Sequence, residues 1–182
     1  MANKIFKVLC VFFLLPVIFL TGCGSGNNFS KHGNDTGKSD IMTDFSADFT
    51  AQYREMKIKG HMSCNRQKMV NISINSPESL SGLELNYKSS QMQIIRDNMI
   101  CSADEAYIPE NSFPNILRAV IFGVSDGRAV FKSEKDNQNT YDLKTGFGNA
   151  DITADSEGKL LGARLDGEQF EIKFENIKIN MD

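Results

Sequence analysis

Twenty residues decide the fold: Phe45-Ser46-Ala47-Asp48-Phe49-Thr50-Ala51-Gln52-Tyr53-Arg54-Glu55-Met56-Lys57-Ile58-Lys59-Gly60-His61-Met62-Ser63-Cys64. Up to Tyr53 the apolar or small side chains fall on odd numbers: Phe45, Ala47, Phe49, Ala51 and Tyr53. From Met56 onward they fall on even ones: Met56, Ile58, Gly60, Met62 and Cys64. A period of two is the signature of a strand with one face on a core. The phase flips at Arg54-Glu55. A β-bulge there would keep both halves on one face while bending a single long strand, as a strongly curved sheet requires.

The alternation continues outward. Val70, Ile72 and Ile74 mark a second strand, broken by Ser76-Pro77 through Gly82; Leu83, Leu85 and Tyr87 mark a third. Gln91 to Asp97 and Ile100 to Ile108 follow. Phe113, Ile116, Leu117, Val120, Ile121 and Val124 then switch to helical spacing, one apolar stripe with Ser112 as N-cap and Pro114 in the first turn. Strands return over Ala129–Glu134, Thr140–Lys144, Gly148–Ala154, Leu160–Asp166 and Gln169–Ile179, with a second bulge before Ile177. The expectation is mainly β (α+β): about ten antiparallel strands in an unclosed, strongly curved half-barrel, with one main helix on its concave face.

Toward the N-terminus the character changes. Lys4 and Lys7 precede a 13-residue apolar run, Val8 to Leu20, too short to span a hydrocarbon core of about 30 Å. The run ends in Leu20-Thr21-Gly22-Cys23, which resembles a bacterial lipoprotein processing site. That resemblance implies cleavage before Cys23 and acylation of its sulfur (diacylglycerol, a palmitate-type anchor). It implies an extracytoplasmic chain held on the cell membrane by lipid, stably so if two chains are attached. Residues 1–22 are then a signal peptide, 23–44 a lipidated cysteine and Gly/Ser/Asn-rich linker, and 45–182 one domain. About two-thirds of its unfolded surface would be buried, enough for a core without staples.

The chain of 182 residues carries 20 basic and 23 acidic side chains, and loss of Lys4 and Lys7 with the signal takes its charge from −3 to −5. No clustered basic footprint for nucleic acid is present. Cys64 and Cys101 remain after Cys10 and Cys23 are set aside. An even pair outside the cytoplasm favours a disulfide. The meander places the two at opposite ends of strands that are not neighbours, beyond disulfide reach.

Chemistry is sparse. His32 lies in the linker and His61 on the polar phase of the first strand, a solvated position with no nucleophile signature beside it. Neither Gly-x-Ser-x-Gly nor His-Glu-x-x-His occurs. Asp136-Asn137-Gln138-Asn139 lacks the mid-loop glycine and closing glutamate of a calcium loop and reads as a turn. Gly146-Phe147-Gly148 also reads as a turn. No catalytic residue, metal or cofactor is expected.

Three stretches, Phe49 to Gly60, Ile74 to Leu83 and Phe113 to Phe122, together with the layout of residues 45–182, resemble the LolA/LolB-like lipoproteins, including the LppX/LprG-type proteins of mycobacteria. The resemblance implies an unclosed sheet wrapped on helices, and in several members an acyl chain held between them. The chain is shorter than the mycobacterial members and has one clear helix where they have more. Similar folds occur in clostridial spore-germination lipoproteins, which bind and activate a cell-wall amidase. The expected ligand is thus a lipid or acyl chain. On the sheet it would meet Phe49, Met56, Ile58, Met62, Ile72, Leu83, Leu85 and Tyr87, and on the helix Phe113, Leu117, Val120 and Ile121. The bland alternative is that these residues fill a dry core. The competing function is a non-catalytic interaction module of the envelope or spore, taking a protein partner or a second copy at an open sheet edge.

Overall fold

The computed structural model describes residues 41–180 apart from 89. The signal peptide, Cys23 and most of the linker therefore lie outside the described residues. The last linker positions do not: Ile41 is buried in the core, and the Met42 N–H donates to the Gly158 carbonyl at 2.8 Å.

Among the described residues the body is one antiparallel sheet of eleven strands that does not close into a barrel. Six strands form the first meander: β1 (Phe45–Tyr53), β2 (Met56–Cys64), β3 (Met69–Ser76), β4 (Leu83–Lys88), β5 (Gln91–Arg96) and β6 (Met99–Asp104). A 3-10 turn, Glu105–Tyr107, leads to helix α1 (Phe113–Ser125). Five strands form the second: β7 (Val130–Lys135), β8 (Gln138–Thr145), β9 (Gly148–Asp155), β10 (Leu160–Leu165) and β11 (Phe170–Ile179). The spatial order is β6-β5-β4-β3-β2-β1-β11-β10-β9-β8-β7. The chain thus starts at the centre, walks to one edge, crosses by the helix to the other edge, and walks back to pair β11 with β1. Among the described residues no helix is long and apolar enough to cross a membrane.

The stretch that reads as one bent strand is a hairpin. Tyr53 pairs with Met56, so Arg54-Glu55 is a two-residue turn, with Arg54 at φ 54°. Paired residue numbers in β1 and β2 sum to 109, an odd number, so an odd residue always faces an even one. Paired residues share a face. A tight hairpin and a bulge therefore produce the same phase flip, and the eleventh strand comes from this split. The second bulge is where the pattern slips: the β1–β11 register shifts between Ser46 and Asp48, opposite Asn176 at φ 54°.

The turns use their sequences directly. Asp97-Asn98 and Asp136-Asn137 adopt positive φ at both positions, as two-residue hairpins need. The Asp155 carboxylate accepts the Glu157 and Lys159 N–H groups, and Gly158 takes φ 84°. Helix α1 starts after Ser112, but the serine hydroxyl makes no capping hydrogen bond and is buried unpaired. Gly123 does not stop the helix, which runs two residues further; a Cβ there would stand 2.8 Å from the Leu143 methyls of β8.

Candidate functional site

The concave face is built from cross-strand rows. One runs Ala47–Met62–Ile72–Leu85–Ile94–Cys101 from β1 to β6; the next runs Phe45–Cys64–Val70–Tyr87–Met92–Ala103. Over the central strands these rows are buried and join the α1 side chains in one apolar cluster. Phe113 is the pivot of the helix seat. Its ring lies 6.2 Å from Phe49, 6.2 Å from Tyr53 and 6.0 Å from Phe170, centroid to centroid. The Tyr53 hydroxyl donates to the Asn111 carbonyl just before the helix. Gly123 against Leu143 sets one flank of α1 over β8. Arg118, whose guanidinium is 5.7 Å from the Tyr87 ring centroid, sets the other flank over β4.

This seam gathers most of the residues expected to meet a ligand. Phe49, Ile58, Met62, Ile72, Leu85 and Tyr87 of the sheet and Phe113, Leu117, Val120 and Ile121 of the helix are all buried in it. Leu83 is half-buried at its margin. Met56 is 40% exposed. Although it shares the face, it stands at the hairpin tip beyond the helix, on the rim of a cleft of about 590 Å³ with Tyr53, Arg54 and Glu168. Two further clefts, of about 460 and 330 Å³, lie over β9–β11 and beside the β10–β11 turn. None of the three is lined by a residue of α1. The seam residues themselves are buried in one cluster, sheet against helix.

Polar atoms left unpaired inside that packing are the feature the sequence did not announce. The Tyr87 hydroxyl is buried with no hydrogen-bond partner, as are the Ser112 hydroxyl and the Asn115 side-chain carbonyl, while Asn115 donates to the Pro109 carbonyl at 3.0 Å. Burial pushes the Tyr87 phenol well above its ordinary value, against a smaller opposing pull from Arg118. An unpaired buried hydroxyl costs about 1–3 kcal/mol. Nothing in the alternation pattern distinguishes Tyr87 from a Phe.

Cys64 and Cys101 are separate and unbridged. Cys64 is buried on β2 and donates to the Thr43 carbonyl at 2.7 Å; Cys101 is exposed on β6, with β3, β4 and β5 between them. Burial pushes the Cys64 thiol up to about 12.

On the convex face Asp48, His61 and Ser73 stand in one row across β1, β2 and β3. His61 Nδ1 lies 3.0 Å from Asp48 Oδ1, and Asn176 donates to Asp48 Oδ2 at 2.8 Å. Those hydrogen bonds, His61 first, hold the Asp48 carboxyl below its ordinary range. The Asp–His pair is about half exposed on an open sheet surface, and none of the three clefts includes any of these residues.

No family model matches the chain, and no curated protein matches it. Solved structures do. An uncharacterized conserved protein of Thermus thermophilus superposes with a TM-score of 0.51 at 9% identity, covering 80% of this chain and 84% of that one. A LolA superfamily protein of Nitrosomonas europaea gives 0.41 at 11%, covering 79% and 91%. LprF of Mycobacterium bovis gives 0.35 at 12%, covering 80% and 91%. The likeness is one of fold. It is carried by the Thermus protein, which superposes on most of this chain at 9% identity.

Proposed function

We propose that this chain is a lipid-anchored extracytoplasmic protein that binds rather than catalyses, and that its ligand is an acyl chain entering the seam between α1 and the concave sheet. The observation that carries the reading is the unpaired Tyr87 hydroxyl, buried among the apolar side chains of the seam with Arg118 beside its ring. A ligand whose tail replaces side-chain contacts and whose ester or carboxyl oxygen reaches that hydroxyl would satisfy it. That burial means the helix must lift for entry, and two connections of irregular chain, before Phe113 and after Ser125, give it room to do so. Anchoring through Cys23 would set the seam beside a source of such chains.

The test is native mass spectrometry of residues 24–182 purified from a bacterial host without detergent. Added mass matching a fatty acid or phospholipid, lost on denaturation, is expected. A bare protein that stays bare after incubation with oleate would overturn the reading. The second reading, an envelope or spore interaction module, is favoured by apolar side chains exposed at one side of the fold: Met99, Ile100 and Tyr107.

A further inference from the structure

The two edges of the sheet are built differently. On β7, Lys132, Glu134 and Lys135 alternate along the strand, and the register against β8 breaks between Phe131 and Ser133. Lys132 is fixed to Asp142 at 3.1 Å and Asp151 at 2.8 Å. Charges and an irregular register are the devices that stop an edge from adding another strand. β6 has neither. From Met99 to Ala103 it carries no charge, its register against β5 is unbroken, and Met99 and Ile100 are 69% and 66% exposed. Cys101, next along the strand, is exposed too.

We propose that β6 is a self-pairing edge, and that two copies of this chain join antiparallel through Met99–Ala103 to make one continuous sheet. The inference does not depend on what enters the seam. It follows from which pairings the strand permits. A closed antiparallel pair has its two-fold axis perpendicular to the sheet, so both concave faces lie on one side. Paired residue numbers must then sum to an even number, because Met99, Cys101 and Ala103 face one way and Ile100 and Ser102 the other. The register centred on Cys101 sets large Met99 opposite small Ala103 on the concave face and Ile100 opposite Ser102 on the convex face. Moving the centre one residue either way brings Asp104 opposite Ile100, or Asp97 opposite Ala103. The Cys101 register leaves Asp104 opposite Asn98 of the turn, beyond the Met99–Ala103 pairs, and sets no carboxylate against an apolar residue of the joined stretch. Pairing β6 with β7 of the next copy would instead grow an open filament, which the charged, irregular β7 opposes.

In the favoured register the two Cys101 Cα atoms stand about 4.5–5.5 Å apart, inside the range of about 4.4–6.8 Å that a disulfide spans. That supplies a direct probe. The full chain, in membranes of its expression host, is treated with copper phenanthroline, which takes two electrons from a thiol pair as two protons leave. A cross-linked dimer is expected from the wild type and none from Cys101→Ser. In the Cys101→Ser background, copies carrying Met99→Cys mixed with copies carrying Ala103→Cys should cross-link roughly tenfold more than either alone, since only the mixed pair is in register. Light scattering on the detergent-solubilised chain should give twice the chain mass, and Ile100→Lys should give a monomer with unchanged circular dichroism. A monomer mass for the wild type, or cross-linking no greater for the mixed pair than for the single variants, overturns the proposal.

Discussion

Phe49 stands directly across from Gly60, and its ring fills the space a side chain at Gly60 would need. A Cβ there would lie 3.0 Å from two ring carbons and closer still to the Ser73 carbonyl oxygen. The β2–β3 register also shifts at this point, between Lys59 and Gly60. The glycine thus lets an aromatic ring and a neighbouring strand approach together where the register shifts. Gly60→Ala is expected to lower stability by about 1–3 kcal/mol, the usual cost of overpacking. A denaturant midpoint unchanged from wild type would show that the approach is not required.

Tyr87→Phe separates the seam from an ordinary core. Removing an unpaired buried hydroxyl should leave the ligand-free protein as stable as before or more stable, by about 1 kcal/mol. The same change should reduce the lipid that co-purifies. Thermal melts and native mass spectra on one preparation read both. A loss of stability in the ligand-free protein would mean the hydroxyl already has a partner.

Leu117 is wholly buried under the sheet. Leu117→Ala should cost about 2–5 kcal/mol if the seam stays packed. Added oleate should recover part of that loss, because a ligand that binds only the folded state raises its stability. Chemical denaturation with and without oleate measures the recovery.

The thiols should react in sequence. Cys101 is exposed, whereas Cys64 is buried with its thiol pushed up to about 12. Thiolate, not thiol, is the nucleophile. A maleimide at neutral pH should label Cys101 within minutes and reach Cys64 only on unfolding, as peptide mass mapping would show. Early labelling of Cys64 would mean the β1–β2 end opens in the native state.

Asp48 gives a pH dependence of known sign. Its folded carboxyl sits below the ordinary 3.8 because His61, then Asn176, hydrogen-bond the charged form. A depressed acid contributes stability that is full above its unfolded value and is lost as pH falls through the folded one. Stability should therefore decline as the solution is acidified below about pH 4, and Asp48→Asn should flatten that part of the slope. Denaturant midpoints between about pH 2 and 6 compare the two proteins.

Much of the fold is legible because half-buried antiparallel strands write their burial into the chain at every second residue. The first apolar row, Ala47 to Ile94, can be read that way, and so can the helix from Phe113 to Val124. Alternation does not say whether a phase flip is a bulge or a two-residue turn, since both exchange odd for even; Arg54-Glu55 lacks the Asn or Gly that marks a tight hairpin. Nor does it say where a face stops being covered. Met56 and Met99 carry the same apolar signal as Met62, yet only Met62 is buried. The unpaired Tyr87 hydroxyl is a fact of packing between β4 and α1, which no local pattern records.

The pairing of β1 with β11 sets the order in which this chain can be assembled. Phe45 faces Ile179 across the middle of the sheet. β1 thus keeps one side unmatched until β11 has been made. The β1–β6 and β7–β11 meanders close through local hairpins, and the sheet becomes whole only when they meet at that central ladder. Such a high contact order slows the final step and leaves a nascent chain open to pairing with neighbours for longer.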